Sequence, residues 1–219
     1  MKLTYLKSLS FWDSLDDSEK EMMIKNTYEK EYEAGEVVFS PGENCLGIII
    51  ITSGILRSFV VSEDGKRATV LRLREGEVCV STMSCLLTEI DYNLMFEAEC
   101  KASVLIVPAS TFKMLFDKNI FIENFAYKIV TQRTSYIMNA VEQLMFKSLE
   151  QRVISFLLDE SNATKSDKLS ITKIQLAENI GSAREAVSRI LTRLSKDKLV
   201  SVSRGKIVLL DKPALYSKT

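Results

Sequence analysis

Residues 173–195 constrain the fold most, because apolar side chains recur there at spacings of three and four residues, the period of an α-helix. The period breaks once, at Gly181-Ser182. Glycine is favoured just past a helix, and serine is favoured as the N-cap of the next one, with Glu185 placed to complete a capping box. A short helix, a tight turn and a longer helix are predicted, which is a helix-turn-helix. The apolar positions are Leu176, Ala177, Ile180, Val187, Ile190, Leu191 and Leu194.

The polar face of the second predicted helix fits a DNA-reading surface. Arginine can bind O6 and N7 of guanine, glutamate can accept a hydrogen bond from N4 of cytosine, and serine can reach a base edge or a phosphate. We therefore expect this helix to enter the major groove of double-stranded DNA. An ordinary solvated helix of mixed charge is the alternative. The candidate contacts are Ser182, Arg184, Glu185, Ser188 and Arg189.

A small hairpin is predicted directly after these helices. Residues 199–203 and 206–210 are β-like runs, and the two residues Arg204-Gly205 between them form a hairpin turn. A helix-turn-helix with such a hairpin is a winged helix-turn-helix. Arg204 and Lys206, at the hairpin tip, are candidate phosphate contacts.

Charge divides the chain into two parts. The 29 Lys and Arg balance the 29 Asp and Glu overall, but residues 147–219 carry 14 basic and 8 acidic residues, a net of +6, which leaves −6 for residues 1–146. Phosphate binding requires the positive part. We expect residues 147–219 to contact DNA and the acidic part to stay away from it.

The absence of histidine excludes several kinds of site. A Ser-His-Asp triad, a His-rich metal site and histidine-ligated haem all require it, so we expect neither an enzyme nor a histidine-ligated metal site. The cysteines Cys45, Cys79, Cys85 and Cys100 do not form the dense framework of a secreted protein. No apolar run reaches the ~18 residues of a membrane span, and no signal peptide opens the chain, so we expect a cytoplasmic protein.

Residues 32–107 show the alternation typical of β-strands. Turn residues such as Pro41-Gly42 and Ser53-Gly54 separate seven short runs. The pattern predicts a jelly roll, a double-stranded β-helix, which is often wide enough to hold a small ligand. A helix over residues 16–27 precedes it. The runs are residues 37–40, 46–52, 55–62, 67–74, 77–81, 92–99 and 102–107.

Residues 120–145 form a long helical pattern without proline or glycine. It carries two neighbouring apolar stripes. We expect one stripe to pack on the β-domain and the other to pair with a second copy of the chain in a coiled-coil homodimer; burial of both within one chain is the alternative. The first stripe is Ile122, Phe125, Ile129, Tyr136, Ala140 and Leu144, and the second is Ala126, Val130, Ile137 and Val141.

Together these elements predict an α+β chain in three parts. An effector-sensing β-roll occupies residues 1–118, a dimerisation helix residues 119–146, and a winged helix-turn-helix residues 147–219. In the last part a helix over residues 149–158 is followed by a loop over 161–168. We expect a hinge at residues 146–148, where the charge changes sign.

This order of elements resembles the Crp/Fnr family of bacterial transcription regulators, relatives of the cyclic-AMP receptor protein, over nearly the whole chain. The resemblance implies a cyclic-nucleotide-binding-like β-roll, and it places Arg184, Glu185 and Arg189 on base edges. Ser188 is similar to the residue of the Fnr-like branch, whose E-x-x-S-R pattern reads TTGAT-type half-sites. The resemblance further implies a two-fold operator and leaves RNA polymerase open as a partner.

The resemblance also implies an effector site, and there the chain departs from the cyclic-nucleotide binders. Those proteins hold the ribose with a glutamate and the phosphate with an arginine, whereas this chain has Ser81 and, later, Tyr92-Asn93. A cyclic phosphate without a cationic partner would be poorly compensated, so we expect that cyclic AMP is not bound in the usual way. We expect a largely apolar pocket with soft sulfur atoms near Cys79, Met83, Cys85, Ile137 and Met138. The full set of candidate pocket residues also includes Ser81, Tyr92 and Asn93.

Three interpretations of the sensing part stay open. The first cysteine is Cys45, so the N-terminal iron–sulfur cluster of the Fnr branch is not expected. Cys79, Cys85 and Cys100 could act as a thiol switch or metal site, or could simply be small buried apolar residues. A constitutive DNA-binding protein without any effector is the remaining alternative. The sequence leaves the effector's identity, the target genes and the choice between activation and repression open.

Overall fold

Residues 2–40, 46–79 and 94–219 are described by the structure, a computed structural model, and they divide into two units. The first unit comprises Met1–Val60 and Leu71–Ile137. The second comprises Met138–Thr219 together with Val61–Val70. In the described part of the chain, no helix is both long and apolar enough to cross a membrane.

The first unit contains the predicted jelly roll except for residues 61–70, which belong to the second unit. Its strands β1 to β8 are Tyr28–Tyr32, Val37–Phe39, Gly47–Ser53, Ile55–Val61, Arg67–Arg74, Val78–Cys79, Met95–Ala98 and Ala102–Pro108. They form two antiparallel four-stranded sheets, with strand orders β1-β8-β3-β6 and β2-β7-β4-β5. The α+β class and the β-roll are thus confirmed.

Strand β3 shows why the first sheet lies at the centre of this unit. Successive side chains of a strand point to opposite faces, yet every residue from Gly47 to Thr52 is buried. Ile49 and Ile51 pack in the core between the two sheets, while Ile48 and Ile50 pack in a second core with the helices of the unit. Both faces of this sheet are therefore covered.

Strand β1 was not predicted from the sequence. It reads YEKEY, and four of its five residues are exposed, so it lacks the apolar alternation by which strands are recognised. It is held by antiparallel pairing with β8, in which Tyr28 lies opposite Ile106. Only Tyr32 is buried, at the end of the strand.

The second sheet carries two ion pairs that are largely shielded from water. Arg57 on β4 bonds through Nε to Oε1 of Glu97 on β7 at 2.6 Å, and the two side chains are 6% and 8% exposed. Leu56 and Phe96 belong to the core between the sheets, so Arg57 and Glu97 point to the opposite face. A second pair, Arg72 with Glu99, is bidentate.

The helices predicted from the sequence are present in the predicted order, whereas the helices Lys2–Lys7, Ala109–Phe116 and Lys212–Tyr216 were not predicted. Asp16 caps the helix Asp17–Asn26 and forms a capping box with Glu19, as the acidic start of this stretch indicated. The long helix spans Ile120–Phe146, one residue past its predicted end. The eight α-helices of the described residues, α1 to α8, are Lys2–Lys7, Asp17–Asn26, Ala109–Phe116, Ile120–Phe146, Leu149–Thr164, Lys173–Asn179, Arg184–Lys196 and Lys212–Tyr216, and Trp12–Ser14 forms a short 3-10 helix.

The expected use of the two stripes of α4 is wrong in one respect. Members of both stripes, Ile122 and Ala126, are buried in the first half of the helix. Members of both, including Leu144 and Val141, are exposed in the last part. Burial of these side chains therefore depends on their position along the helix and not on their stripe, because the helices and first sheet of the unit cover only the earlier turns.

The second unit has its own core, formed by α5 to α8 and a three-stranded sheet. The strands β9 to β11 are Lys168–Leu169, Val200–Ser203 and Lys206–Leu209, in the order β10-β11-β9. The hairpin is confirmed, with Ser203 paired to Lys206 across a two-residue turn. The predicted loop over 161–168 is wrong at both ends, since α5 continues to Thr164 and β9 begins at Lys168.

Two bonds to Asp167 explain the local order in that stretch. Ser161, buried in α5, donates to the Asp167 carboxylate at 2.8 Å, and Lys212 Nζ donates to the same oxygen at 3.1 Å. The Ser161 hydrogen bond, followed by that of Lys212, lowers the pKa of the Asp167 carboxyl. These contacts tie the end of α5 to α8.

We predict that removing one member of the Arg57–Glu97 pair lowers the free energy of unfolding much more than replacing both members by apolar residues. Arg57→Met removes the guanidinium that bonds to the buried carboxylate of Glu97, and should lower the free energy of unfolding of the first unit by about 3–5 kcal/mol. The double variant Arg57→Met/Glu97→Leu should recover most of that loss. Trp12, the single tryptophan, is buried in this unit, so its fluorescence during urea unfolding follows the relevant transition.

Lys101→Met is the matched control for this experiment. Lys101 pairs with Glu31 at 3.3 Å, but the two side chains are 61% and 64% exposed. Its loss should change stability by at most about 1 kcal/mol. Equal losses for Arg57→Met and Lys101→Met would contradict the structural role given to the buried pair.

Candidate nucleic-acid interface

The turn between α6 and α7 is closed by two backbone hydrogen bonds. Gly181 has the left-handed φ of +62° and its N–H donates to the carbonyl of Glu178, while the N–H of Ser182 donates to the carbonyl of Ala177. This is the arrangement of a Schellman motif, which ends a helix at a glycine. The glycine was predicted to end the first helix, and the structure confirms it.

The predicted role of Ser182 as N-cap of the second helix is wrong. The N-cap of α7 is Ala183, and no side chain caps the helix there. Ser182 is one residue too early, because its backbone N–H already completes the end of α6. The predicted capping box between Ser182 and Glu185 therefore does not form.

The first turns of α7 bring four of the predicted DNA-contacting side chains together. Arg184, Glu185 and Arg189 are exposed, and Ser188 is half-buried beside them. They line one shallow surface concavity, to which Thr192 also contributes. Thr192 was missed in the sequence, although it lies four residues after Ser188 and therefore on the same helix face.

The opposite face of α7 fixes the helix to its unit. Val187, Leu191 and Leu194 are buried in the core of the second unit. The alternation of buried and exposed positions is what the apolar spacing predicted. Because the apolar face is anchored, the polar face is held outward in one orientation.

Helix α5 holds both helices of the motif. Arg152 donates through its NH1 group to the carbonyl of Ile180 at 2.9 Å, just where α6 ends. Glu150, also on α5, forms an ion pair with Arg193 on α7. Ser148 caps α5 and forms a capping box with Gln151, so the helix begins at a well-defined residue.

One polar contact joins α6 directly to the concavity. The Nζ atom of Lys173, the first residue of α6, donates to Oγ of Ser188 at 3.0 Å. Lys173 was not among the residues selected from the sequence. Its place in the first turn of a helix, where a cation is disfavoured, is the feature that could have drawn attention to it.

The β10–β11 hairpin, which is the wing of the motif, carries the other two residues that were predicted to contact DNA. Arg204 and Lys206 are exposed at the tip of the β10–β11 hairpin. Gly205, with φ of +70°, allows the tight turn between them. Their side chains are thus accessible to a phosphate backbone.

The predicted effector pocket is only partly within the described residues. Ser81, Met83, Cys85, Tyr92 and Asn93 lie outside them, as does Cys45. Cys79 is buried in the core between the two sheets, whereas Cys100 is exposed. Ile137 is half-buried and Met138 is 61% exposed.

Comparison with known proteins identifies the family. A solved structure from Eubacterium rectale, assigned to the crp/fnr family of transcriptional regulators, is 30% identical, covers 98% of each chain and has a TM-score of 0.90. This chain belongs to the Crp/Fnr family of transcription regulators. Residues 151–217 match the Crp-like helix-turn-helix domain, and residues 29–119 match the cyclic nucleotide-binding domain. The protein is a DNA-binding regulator and not an enzyme.

More distant members share most of the length. The global nitrogen regulator of Synechococcus elongatus is 26% identical over 85% of this chain and 87% of its own. The structure of CLP from Xanthomonas campestris, described as a c-di-GMP responsive global regulator, is 18% identical, covers 90% of this chain and 100% of that one, and has a TM-score of 0.76. The latter likeness concerns the fold alone.

We predict that Arg189→Ala changes which sequences are bound. Loss of a base-reading arginine should cost about 1–3 kcal/mol at the preferred site and relax the base preference at one position. Lys206→Ala, which removes a wing cation, should weaken all sequences alike and reduce the slope of log affinity against log salt by about 1. Fluorescence anisotropy with base-substituted duplexes at several salt concentrations measures both effects.

The two variants distinguish recognition of bases from binding of the phosphate backbone. If Arg189→Ala and Lys206→Ala both lowered affinity without changing base preference, α7 would not be the reading helix. Arg204→Ala serves as the second wing variant and should behave as Lys206→Ala does.

Proposed function

We propose that this protein is a homodimeric, sequence-specific transcription regulator whose DNA binding is controlled by an effector or redox signal sensed in the β-roll. The outward polar face of α7, with Arg184, Glu185, Ser188 and Arg189 around one concavity, is the observation that carries the DNA-reading part. Its resemblance to the E-x-x-S-R readers supports TTGAT-type half-sites. The protein would act in the cytoplasm, with RNA polymerase as a further partner to test.

The dimer is supported by the last part of α4. Ile137, Val141 and Leu144 follow the four-and-three spacing of coiled-coil core positions. Val141 and Leu144 are 41% and 57% exposed in the single chain, and Met145 and Phe146 are 70% and 77% exposed. An exposed apolar row of this kind favours a partner surface. A second copy of α4 is the occupant that suits a two-fold operator, whose half-sites lie about 34 Å apart.

The proposal about the effector rests on the described residues of the β-roll core, which include no cationic side chain placed to bind a phosphate. Cys79 is buried among apolar side chains of the β-roll core, such as Ile49 and Leu56. The buried Arg57 lies on the opposite face of its strand from Leu56 and bonds to Glu97, so it is not placed to receive a phosphate in that core. Together with the sequence at Ser81 and Tyr92-Asn93, this supports an effector other than cyclic AMP bound in the usual way. A small apolar or redox-active compound suits such a pocket.

We predict that Val141→Asp weakens the dimer. The substitution would bury an unpaired carboxylate between the two copies of α4, which is costly. Size-exclusion chromatography with light scattering at tens of micromolar should give a dimer for the wild type and a monomer or mixture for the variant. Asn139→Asp adds the same charge at a neighbouring exposed position and should stay dimeric. A monomeric wild type would refute the dimer.

We predict that cyclic AMP produces no heat of binding at millimolar concentration in calorimetry with the full-length protein. The expectation follows from the missing cationic partner for the phosphate. Binding at micromolar concentration would overturn the proposal about the effector, but would leave the DNA-reading helix unaffected. Cyclic di-GMP belongs in the same titration series, because the structurally similar CLP is described as responding to it.

A constitutive regulator and a thiol switch give different results in one further assay. DNA affinity is measured with and without dithiothreitol, diamide and a panel of metabolites that shift the melting temperature. A response to diamide that Cys79→Ser abolishes would assign the switch to that thiol. Unchanged DNA affinity under all conditions would refute effector control and support the constitutive alternative.

A further inference from the structure

We propose that Lys173 is a positioning residue that fixes the hydroxyl direction of Ser188 and thereby helps to determine which base is read. The inference rests on the proposed DNA-reading function of α7. It adds a residue from the first helix of the motif to the determinants of sequence preference. It also commits Ser188 to one kind of base atom.

The contact spans the two helices of the motif. Lys173 begins α6, Ser188 lies in the second turn of α7, and Nζ donates to Oγ at 3.0 Å. Both residues are half-buried, so the bond is less exposed to competing water than one at the surface. Ser188 at the same time lines the concavity together with Arg189.

The direction of this bond restricts the serine proton. An ammonium group can only donate, so Oγ of Ser188 must accept from Lys173 and its own proton must point elsewhere. A helical serine often donates to the carbonyl four residues earlier, as Thr192 does toward the carbonyl of Ser188 at 2.9 Å. Among the described residues, the Ser188 hydroxyl has no such acceptor. Its proton is therefore available to the ligand that fills the concavity.

Helix stability does not account for Lys173. A cation in the first turn faces the positive end of the helix dipole, which is unfavourable. The start of α6 is already capped by Thr172, which forms a capping box with Gln175. The hydrogen bond to Ser188 explains a lysine at this position, whereas helix stability does not.

A preference for certain bases follows. A hydroxyl that donates outward can bond O6 or N7 of guanine, N7 of adenine or O4 of thymine, whereas cytosine offers only its N4 donor in the major groove. With Lys173 on one of its two lone pairs and its proton directed outward, the Ser188 hydroxyl is better placed to donate than to accept, and it should disfavour cytosine at the position it contacts. Without Lys173 the hydroxyl can rotate, and it should accept from cytosine as readily as it donates to the other bases.

The experiment compares base preferences in the full-length protein. Wild type, Lys173→Met, Lys173→Arg, Ser188→Ala and the double variant Lys173→Met/Ser188→Ala are each used to enrich a randomised duplex pool. Affinities for the enriched site and its single-base-pair substitutions are then measured by anisotropy. Lys218→Met, at an exposed C-terminal position, removes the same charge and is the control.

Lys173→Met and Ser188→Ala should relax preference at the same base pair by about five- to tenfold. The double variant should lose no more than either single variant, because the two side chains act as one unit. Lys173→Arg should restore the preference, and Lys218→Met should keep it.

Two results would overturn the proposal. If Lys173→Met weakened binding to every duplex equally, with the preference retained, Lys173 would be a phosphate contact only. If the losses of the single variants multiplied in the double variant, the two residues would act separately. Failure of the wild type to enrich any sequence would instead refute the proposed DNA-reading function, and the role of Lys173 with it.

Discussion

The last carbonyl groups of an α-helix have no hydrogen-bond partners within the helix. In α6, the partners of these carbonyl groups determine where the next helix, α7, begins. Two of them accept hydrogen bonds from the backbone N–H groups of Gly181 and Ser182. The carbonyl of Ile180, which follows the helix, accepts from Arg152 on α5. The chain can close in this way only because Gly181 adopts a left-handed φ without steric cost. Together with the buried apolar face of α7, this small set of bonds sets the orientation of α7 and of the candidate DNA-contacting face.

Much of the DNA-binding part was predictable because its determinants are local. The three-and-four spacing over residues 173–195 gave both helices, and Arg204-Gly205 gave the hairpin. The error at Ser182 has a clear cause, since serine suits an N-cap in isolation, but here its backbone is already used to end α6. Lys173 could not be selected by pattern, because its contact with Ser188 joins residues that are fifteen positions apart.

The β-roll was predictable as a class and less so in detail. Strand β1 is stabilised by pairing with β8 and not by its own composition, which is mostly charged and exposed. The two stripes of α4 were read correctly as apolar, but only the tertiary structure shows that burial ends partway along the helix. Of the candidate effector residues, Cys79 is the one found in the sheet core, and the stretch that carries Ser81, Met83, Cys85, Tyr92 and Asn93 falls outside the described residues.

The contacts of α5 would limit how the proposed signal changes DNA reading. Glu150 holds α7 through Arg193, and Arg152 holds the end of α6, so both helices of the motif are fixed to one rigid element. Along the chain, only Lys147 and the capping residue Ser148 separate the end of α4 from α5. In the effector-controlled homodimer proposed above, a change in the pairing of two α4 helices would reach α5 through this short link, and α6 and α7 would follow through their bonds to α5. The distance between the two reading helices of a dimer would change, while the arrangement of Arg184, Glu185, Ser188 and Arg189 on each would stay the same.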